Sequence, residues 1–264
     1  MRRVTQDNSG KKTAGIDGVK KLTPEERVRL VEEIDWSKEP KPVRRIYIPK
    51  AGKNEVRPLG IPVMEDRAKQ ALVKLAMEPE WEAKFEPNSY GFRAGRAAHD
   101  ATEAIYKAIG RKAGGSFVLD ADIKGCFDNI DHDALLRKVN TYPRLRKIIK
   151  GWLKAGILDD GVFQKSDAGT PQGGVVSPLL ANIALDGMEE HVKDRLDEDL
   201  FQSTKARVKR ERLPPTCGNR RDARHAMSII RYADDFVVIH RDKDIVEKAK
   251  EVISDWLAEM GLEL

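Results

Sequence analysis

Apolar residues recur along this chain with two different periods, and the switches between them predict its elements. From Glu65 to Phe85, Ala68, Ala71, Leu72, Leu75 and Ala76 fall at i, i+3, i+4, i+7 and i+8, one face of a helix. Ala98 to Ile109 repeats the pattern with Ala101, Ile105, Ala108 and Ile109. A shorter helix over Pro24–Ile34 is announced by Thr23 as N-cap, Pro24 at the first helical position and Glu26 as capping-box partner. Val43 to Pro49 alternates instead, and Val56 to Ile61 is short and apolar, so the two read as strands joined by a turn at Ala51-Gly52-Lys53-Asn54. After Gly114-Gly115, Phe117, Leu119, Ala121 and Ile123 alternate with Val118, Asp120 and Asp122, a strand with carboxylates along one face. Helices are expected over Asp131–Val139, over Arg144–Lys154, and from Ser177-Pro178 through Val192. Met227–Tyr232 and Phe236–His240 flank Ala233-Asp234-Asp235, which reads as a hairpin with acids at its tip. Asp244 opens a last amphipathic helix closed by Gly261, and Leu262-Glu263-Leu264 reads as the opening of a further strand.

From residue 117 onward the order strand, helices, hairpin, helix, strand predicts an α+β fold whose antiparallel sheet is a split βαβ (ferredoxin-like) unit with helices on one face. The 264 residues suit two subdomains, with a boundary near 113/114. The longest apolar run, Phe236 to Ile239, is four residues, against the ~20 of a membrane span. The basic N-terminus runs into polar residues and lacks the apolar stretch of a secretory signal, so a cytoplasmic protein is expected. Two cysteines and five histidines without paired spacing support neither a disulfide framework nor a zinc site. The charge is uneven: between Lys205 and Arg231 nine basic residues face two acidic ones, a net of +7, so the rest of the chain carries −2 of the formal +5. Within that stretch Arg207, Lys209, Arg210, Arg220 and Arg221 are candidates for contact with DNA or RNA phosphates; a solvated loop is the plainer reading.

The chemistry gathers on three carboxylates. Asp122 on one strand, and Asp234 with Asp235 at the tip of a hairpin able to lie beside it, would repel one another unless they hold divalent cations. Two magnesium ions between oxygen ligands are the device that drives in-line displacement at phosphorus. Alone, Asp-Asp is a common turn pair.

Its surroundings change that. Tyr232-Ala233-Asp234-Asp235, preceded by Asp122-Ile123-Lys124-Gly125-Cys126-Phe127-Asp128-Asn129-Ile130 and by Thr170-Pro171-Gln172-Gly173-Gly174, resembles a reverse transcriptase, in detail the bacterial group II intron-encoded reverse transcriptase/maturase. Thr13-Ala14-Gly15-Ile16-Asp17-Gly18, Ile48-Pro49-Lys50, Arg57-Pro58-Leu59-Gly60-Ile61-Pro62 and Ser89-Tyr90-Gly91-Phe92-Arg93-Ala94-Gly95-Arg96 agree with that family in order. The resemblance implies fingers over 1–113, a palm over 114–264, and RNA-directed DNA polymerisation with two Mg²⁺ ions, deoxynucleotides, a primer and an RNA template, here intron RNA. It implies that Asp122, Asp234 and Asp235 bind the metal with the carbonyl of Ile123, that Lys50 and Arg57 clamp the triphosphate, and that Phe127 is a steric gate beneath the sugar. Gln172 and Gly173 would contact the incoming nucleotide, and Arg93 and Arg96 the template or primer backbone. It further implies that the chain stops before the family's thumb and the lysine preceding it, so weak grip on primer–template is expected. A non-catalytic RNA-binding splicing cofactor or an inert fragment is the alternative. A nucleotidyl cyclase on the same palm would carry a GG[DE]EF-like hairpin, where this chain has Tyr-Ala-Asp-Asp.

Overall fold

The computed structural model describes residues 2–49, 52, 55–110 and 117–264. Lys50, the expected turn residues Ala51, Lys53 and Asn54, and Gly114-Gly115 lie outside the described residues. The chain divides into two compact units, each assembled from two separate stretches: Met1–Ala83 with Gly125–Ala184, and Lys84–Lys124 with Leu185–Leu264. Within each unit, elements that lie far apart along the chain pack together.

The first unit contains α1 (Pro24–Glu32), β1 (Val43–Pro49), β2 (Val56–Ile61), α2 (Met64–Glu82), α4 (Cys126–Asn129), α5 (His132–Val139), α6 (Pro143–Leu153), β4 (Ile157–Asp159), β5 (Val162–Gln164) and most of α7 (Ser177–Leu185). Its sheet runs β2-β1-β4-β5. β1 and β2 pair antiparallel from Arg44↔Ile61 to Pro49↔Val56, as the alternation predicts, and β1 pairs parallel with β4. The three-residue strands β4 and β5 offer too few alternations to be read from sequence. α2 buries Met64, Ala68, Ala71, Val73, Met77 and Trp81, and Val4, Leu22 and Leu30 pack on its start. Arg67, buried on α2, ties down the N-terminal segment by donating to the carbonyls of Pro62, Gly10 and Thr13 at 2.7, 2.8 and 2.7 Å. Thr23 and Glu26 form the expected capping box.

The second unit contains α3 (Ala98–Gly110), β3 (Phe117–Asp122), α8 (Met188–Arg195), α9 (Asp197–Glu211), α10 (Arg220–Ala226), β6 (Ser228–Tyr232), β7 (Asp235–His240) and α11 (Lys243–Ala258). Its antiparallel sheet has three strands, β3-β7-β6. The fourth strand expected at Leu262–Leu264 does not form, although Lys124 N–H donates to the Glu263 carbonyl at 2.9 Å. Ala101 and Ala108 of α3 pack on Ile230 and Ile239. Phe236 and Val238, on the opposite face of β7, are buried as well. The helix expected from Ser177 through Val192 is two, broken at Gly187, whose φ of 85° is left-handed. α11 is capped by Asp242, whose carboxylate accepts from Asp244 N–H, and not by Asp244.

Candidate active site

β3 and β7 pair from Phe117↔His240 to Asp122↔Asp235. That register sets the last residue of one strand opposite the first of the other, so Asp122 and Asp235 share one sheet end. Tyr232 pairs with Asp235, which leaves Ala233 and Asp234 as the hairpin tip. The Asp234 carbonyl accepts from Ile123 N–H at 3.2 Å, holding the tip beside the end of β3.

The tip itself is strained and supported. Ala233 has φ 59°, a left-handed conformation costly for a residue with a Cβ. Arg231, 2% exposed, donates from Nη1 to the Ala233 carbonyl at 3.0 Å. Residues 88–91 form a splint along β6: Arg231 N–H donates to the Asn88 carbonyl and Tyr90 N–H to the Arg231 carbonyl, both at 2.9 Å. A Cβ on Gly91 would lie 2.3 Å from the Ala233 nitrogen. Gly91→Ala is therefore expected to destabilise the chain by about 2 kcal/mol or more through overpacking; urea unfolding of the variant beside the parent checks it.

Asp122 and Asp235 are exposed, yet each carboxyl is held above the usual aspartate range, first by partial desolvation and second by the charge of Asp234, with Asp122 and Asp120 adding to the effect on Asp235. Among the described residues no lysine or arginine forms an ion pair with any of the three. The donor set is oxygen only, which suits magnesium. Among the described residues no three His, Cys, Asp or Glu side chains stand as a ready metal cage; the carboxylates are repelling neighbours whose chemistry fits a divalent cation.

In the first unit, a loop and two elements converge. Gly60 N–H on β2 donates to the Gln172 carbonyl at 2.6 Å, and Gln172 Nε2 donates to Asp128 Oδ2 at 3.1 Å. Gly173 has φ 112°, and a Cβ there would meet the Gly60 carbonyl oxygen at 2.8 Å. Thr170 N–H donates to the carbonyl of Phe127, a half-buried residue on α4, at 2.6 Å. Around these contacts lies a cavity of about 300 Å³ bordered by Val43, Arg45, Gly60, Asp128, Pro171 and Gln172. Arg57 is exposed on β2, opposite Ile48. Sequence reasoning missed Arg45 and Asp128. Burial raises the Asp128 carboxyl above the usual range, and the positive charge of Arg45 with the Gln172 hydrogen bond pulls it back. The signal was present: strand alternation puts Arg45 on the same face as Val43.

The cations expected at nucleic acid fare differently. Arg93 is 7% exposed, donates to the carbonyls of Glu86 and Ser89 at 2.9 and 2.8 Å, and lies 5.1 Å over the Phe85 ring. It fastens the splint and does not present itself to a strand. Arg96 donates to the carbonyls of Pro87 and Ser89 and lies over Tyr90. The basic stretch is helical, in α9 and α10, and not a loop. Arg220 is ion-paired to Asp197 and to Glu198, and sits 4.5 Å over Phe201. Arg224 is paired to Glu190 and Asp194 at 2.6 and 2.7 Å. Arg210 lies 3.7 Å from Glu211; Arg207 is half-buried; Lys209 and Arg221 are exposed.

Three carboxylates thus gather at one end of an antiparallel hairpin sheet. The chain belongs to the reverse transcriptase family: residues 48–264 match the family model for reverse transcriptase (RNA-dependent DNA polymerase), and residues 1–34 that for the N-terminal domain of reverse transcriptase. It is 34% identical to Protein YkfC of Escherichia coli, over 90% of this chain and 66% of that protein. It is also 34% identical to the group II intron-encoded protein LtrA of Lactococcus lactis, over 88% of this chain and 45% of that protein. It thus spans between about half and two thirds of these relatives. The fold is similar to that of telomerase from Candida albicans, solved in complex with a fragment of telomeric RNA, with a TM-score of 0.61 at 13% identity over 86% of this chain and 42% of that one. No helix among the described residues is long and apolar enough to cross a membrane.

Proposed function

We propose that the chain is the polymerising core of an RNA-directed DNA polymerase that adds deoxynucleotides to a primer 3′-hydroxyl on an RNA template, with fingers over 1–113 and palm over 114–264. The observation that carries this reading is the register Asp122↔Asp235 with Asp234 at the adjoining tip. Two divalent cations, when bound by Asp122, Asp234, Asp235 and the Ile123 carbonyl, supply polarisation of the attacking hydroxyl and neutralisation of charge on the leaving pyrophosphate. Arg57 and Lys50 supply positive charge for the triphosphate. Gln172 and Gly173, braced by Gly60 and Asp128, hold the incoming nucleotide against its template. The likeness to LtrA supports intron RNA as the template.

Phe127 is assigned the face of the sugar, where its ring excludes a 2′-hydroxyl. Phe127→Val is expected to raise use of ribonucleotides relative to deoxynucleotides by roughly 10–100-fold, the discrimination that about 1–3 kcal/mol of steric fit provides; competition between matched ribo- and deoxynucleotides in primer extension measures it.

The test of the reading itself is single-nucleotide addition to a labelled primer on RNA templates that differ in one base. The account expects the base added to follow the template. Retention of RNA by a folded chain that adds nothing overturns the polymerase reading and leaves the non-catalytic RNA-binding one.

A further inference from the structure

The basic stretch singled out in the sequence is partly neutralised by acids of α8 and α9, whereas a second concentration of charge is not. Residues 143–154 carry five cations and no acid. Arg146 turns inward to the Leu136 carbonyl. The other four, Arg144, Lys147, Lys150 and Lys154, are spaced by three, three and four residues and so share one face at helical spacing; all four are exposed. Among the described residues none of the four forms an ion pair. The opposite face of α6 is apolar and buried through Leu145, Ile149 and Leu153.

The charged face lines a groove of about 730 Å³, together with Lys38, Lys69 and the half-buried Trp36; two acids, the exposed Glu39 and the buried Asp66, also border it, so cations outnumber acids six to two. Its walls are fixed. The ring of Pro40 approaches so near that a Cβ on Gly151 would meet it at 3.1 Å, which presses residues 36–40 against α6. Behind the groove, Asp66 accepts from Lys41 N–H at 3.1 Å and from Trp152 Nε1 at 3.4 Å, joining α2, the approach to β1 and α6. The groove borders none of the residues that border the Gly60–Gln172 cavity.

We propose that this groove is a nucleic-acid site distinct from the Gly60–Gln172 cavity of the same unit, binding the phosphodiester backbone of a strand along Arg144, Lys147, Lys150 and Lys154, with Trp36 as a wall for a base. Charge complementarity selects a polyanion. An anionic membrane surface fits worse, because the cationic stripe lines a concave groove whose apolar members, Trp36, Ile148 and Trp152, are half-buried or buried and do not project to insert between lipids. A preformed concave groove with an aromatic wall fits a strand that alternates phosphates with stackable bases.

The test compares Lys147→Ala/Lys150→Ala/Lys154→Ala with Lys107→Ala/Lys243→Ala/Lys250→Ala, which removes the same charge from exposed positions on α3 and α11. Binding of labelled single-stranded RNA, and of single-stranded DNA of the same sequence, is followed by fluorescence anisotropy across salt concentrations. No dNTP is present, so the result is independent of nucleotide addition, and circular dichroism melting verifies folding. The groove variant is expected to bind one or both strands about tenfold or more weakly. The slope of log K against log salt should fall by about 2, because each single-strand phosphate that a lysine neutralises adds ~0.7 to it. The control variant is expected to stay within about twofold of the parent, and the strand that responds identifies the ligand as RNA, DNA or either. Equal losses in both variants, no loss in the groove variant, or a loss confined to binding of phosphatidylserine-containing vesicles overturns the proposal.

Discussion

Replacing Asp234 and Asp235 together with alanine is expected to lower nucleotide addition by roughly 10²–10⁴-fold while raising the melting temperature. The first effect follows from the several kcal/mol of charge stabilisation that carboxylate-held metal ions contribute to displacement at phosphorus; about 3–5 kcal/mol corresponds to that range of rates. The second follows from electrostatics of the chain alone. Asp122 and Asp235 are held above the usual aspartate range, with Asp234 raising both. A carboxyl with a raised folded-state pKa makes its contribution to stability below its unfolded pKa and loses it as pH rises through the folded value. Removing two of the three charges relieves that loss near neutral pH. Thermal melting at acid and neutral pH should show the variant gaining on the parent as pH rises. A variant that loses both activity and fold would contradict this account.

Glu86→Gln is expected to stabilise the second unit above pH 7 and to flatten its pH dependence. Glu86 is 9% exposed, and its carboxyl is pushed from 4.5 up to about 7, mainly by burial. The Glu190 N–H, donating to its Oε1 at 3.1 Å, and the charge of Arg231 pull it down, while Glu189 and Asp186 push it up. With a raised folded value, stability is full below about 4.5 and is lost as pH rises through about 7. The difference corresponds to on the order of 3 kcal/mol. Glutamine keeps an oxygen for the Glu190 N–H without the charge. Urea unfolding at pH 5 and pH 8 should show the parent losing about that amount and the variant losing little. Equal losses in the two would show that the carboxyl is not held in its neutral form.

The carboxylate centre is legible in the sequence because it rests on local pattern: alternation from Phe117 to Asp122, and two β-rich runs around Ala233-Asp234-Asp235. The elements that support it are less so. Ser89-Tyr90-Gly91 stands in the sequence only as part of the block that also holds Arg93 and Arg96, yet its backbone braces β6, a long-range pairing that no periodicity reveals. Charge alone points Arg93 outward, whereas two carbonyls and the Phe85 ring give it a buried place. The run from Lys205 to Arg231 reads as a free basic surface because its counter-charges, Asp197, Glu198, Glu190 and Asp194, lie upstream of it and meet it only when α8, α9 and α10 pack. Gly187 is a single left-handed residue inside an apolar periodicity that otherwise continues, so the break between α7 and α8 leaves no mark in the pattern.

Electron paramagnetic resonance of Mn²⁺, with the chain bound to an RNA template, a primer lacking its 3′-hydroxyl and the matching dNTP, tests the central claim most directly. The account predicts two bound ions in the parent and loss of both in Asp234→Ala/Asp235→Ala. No bound ion in the parent, or the same binding in the variant, would contradict it.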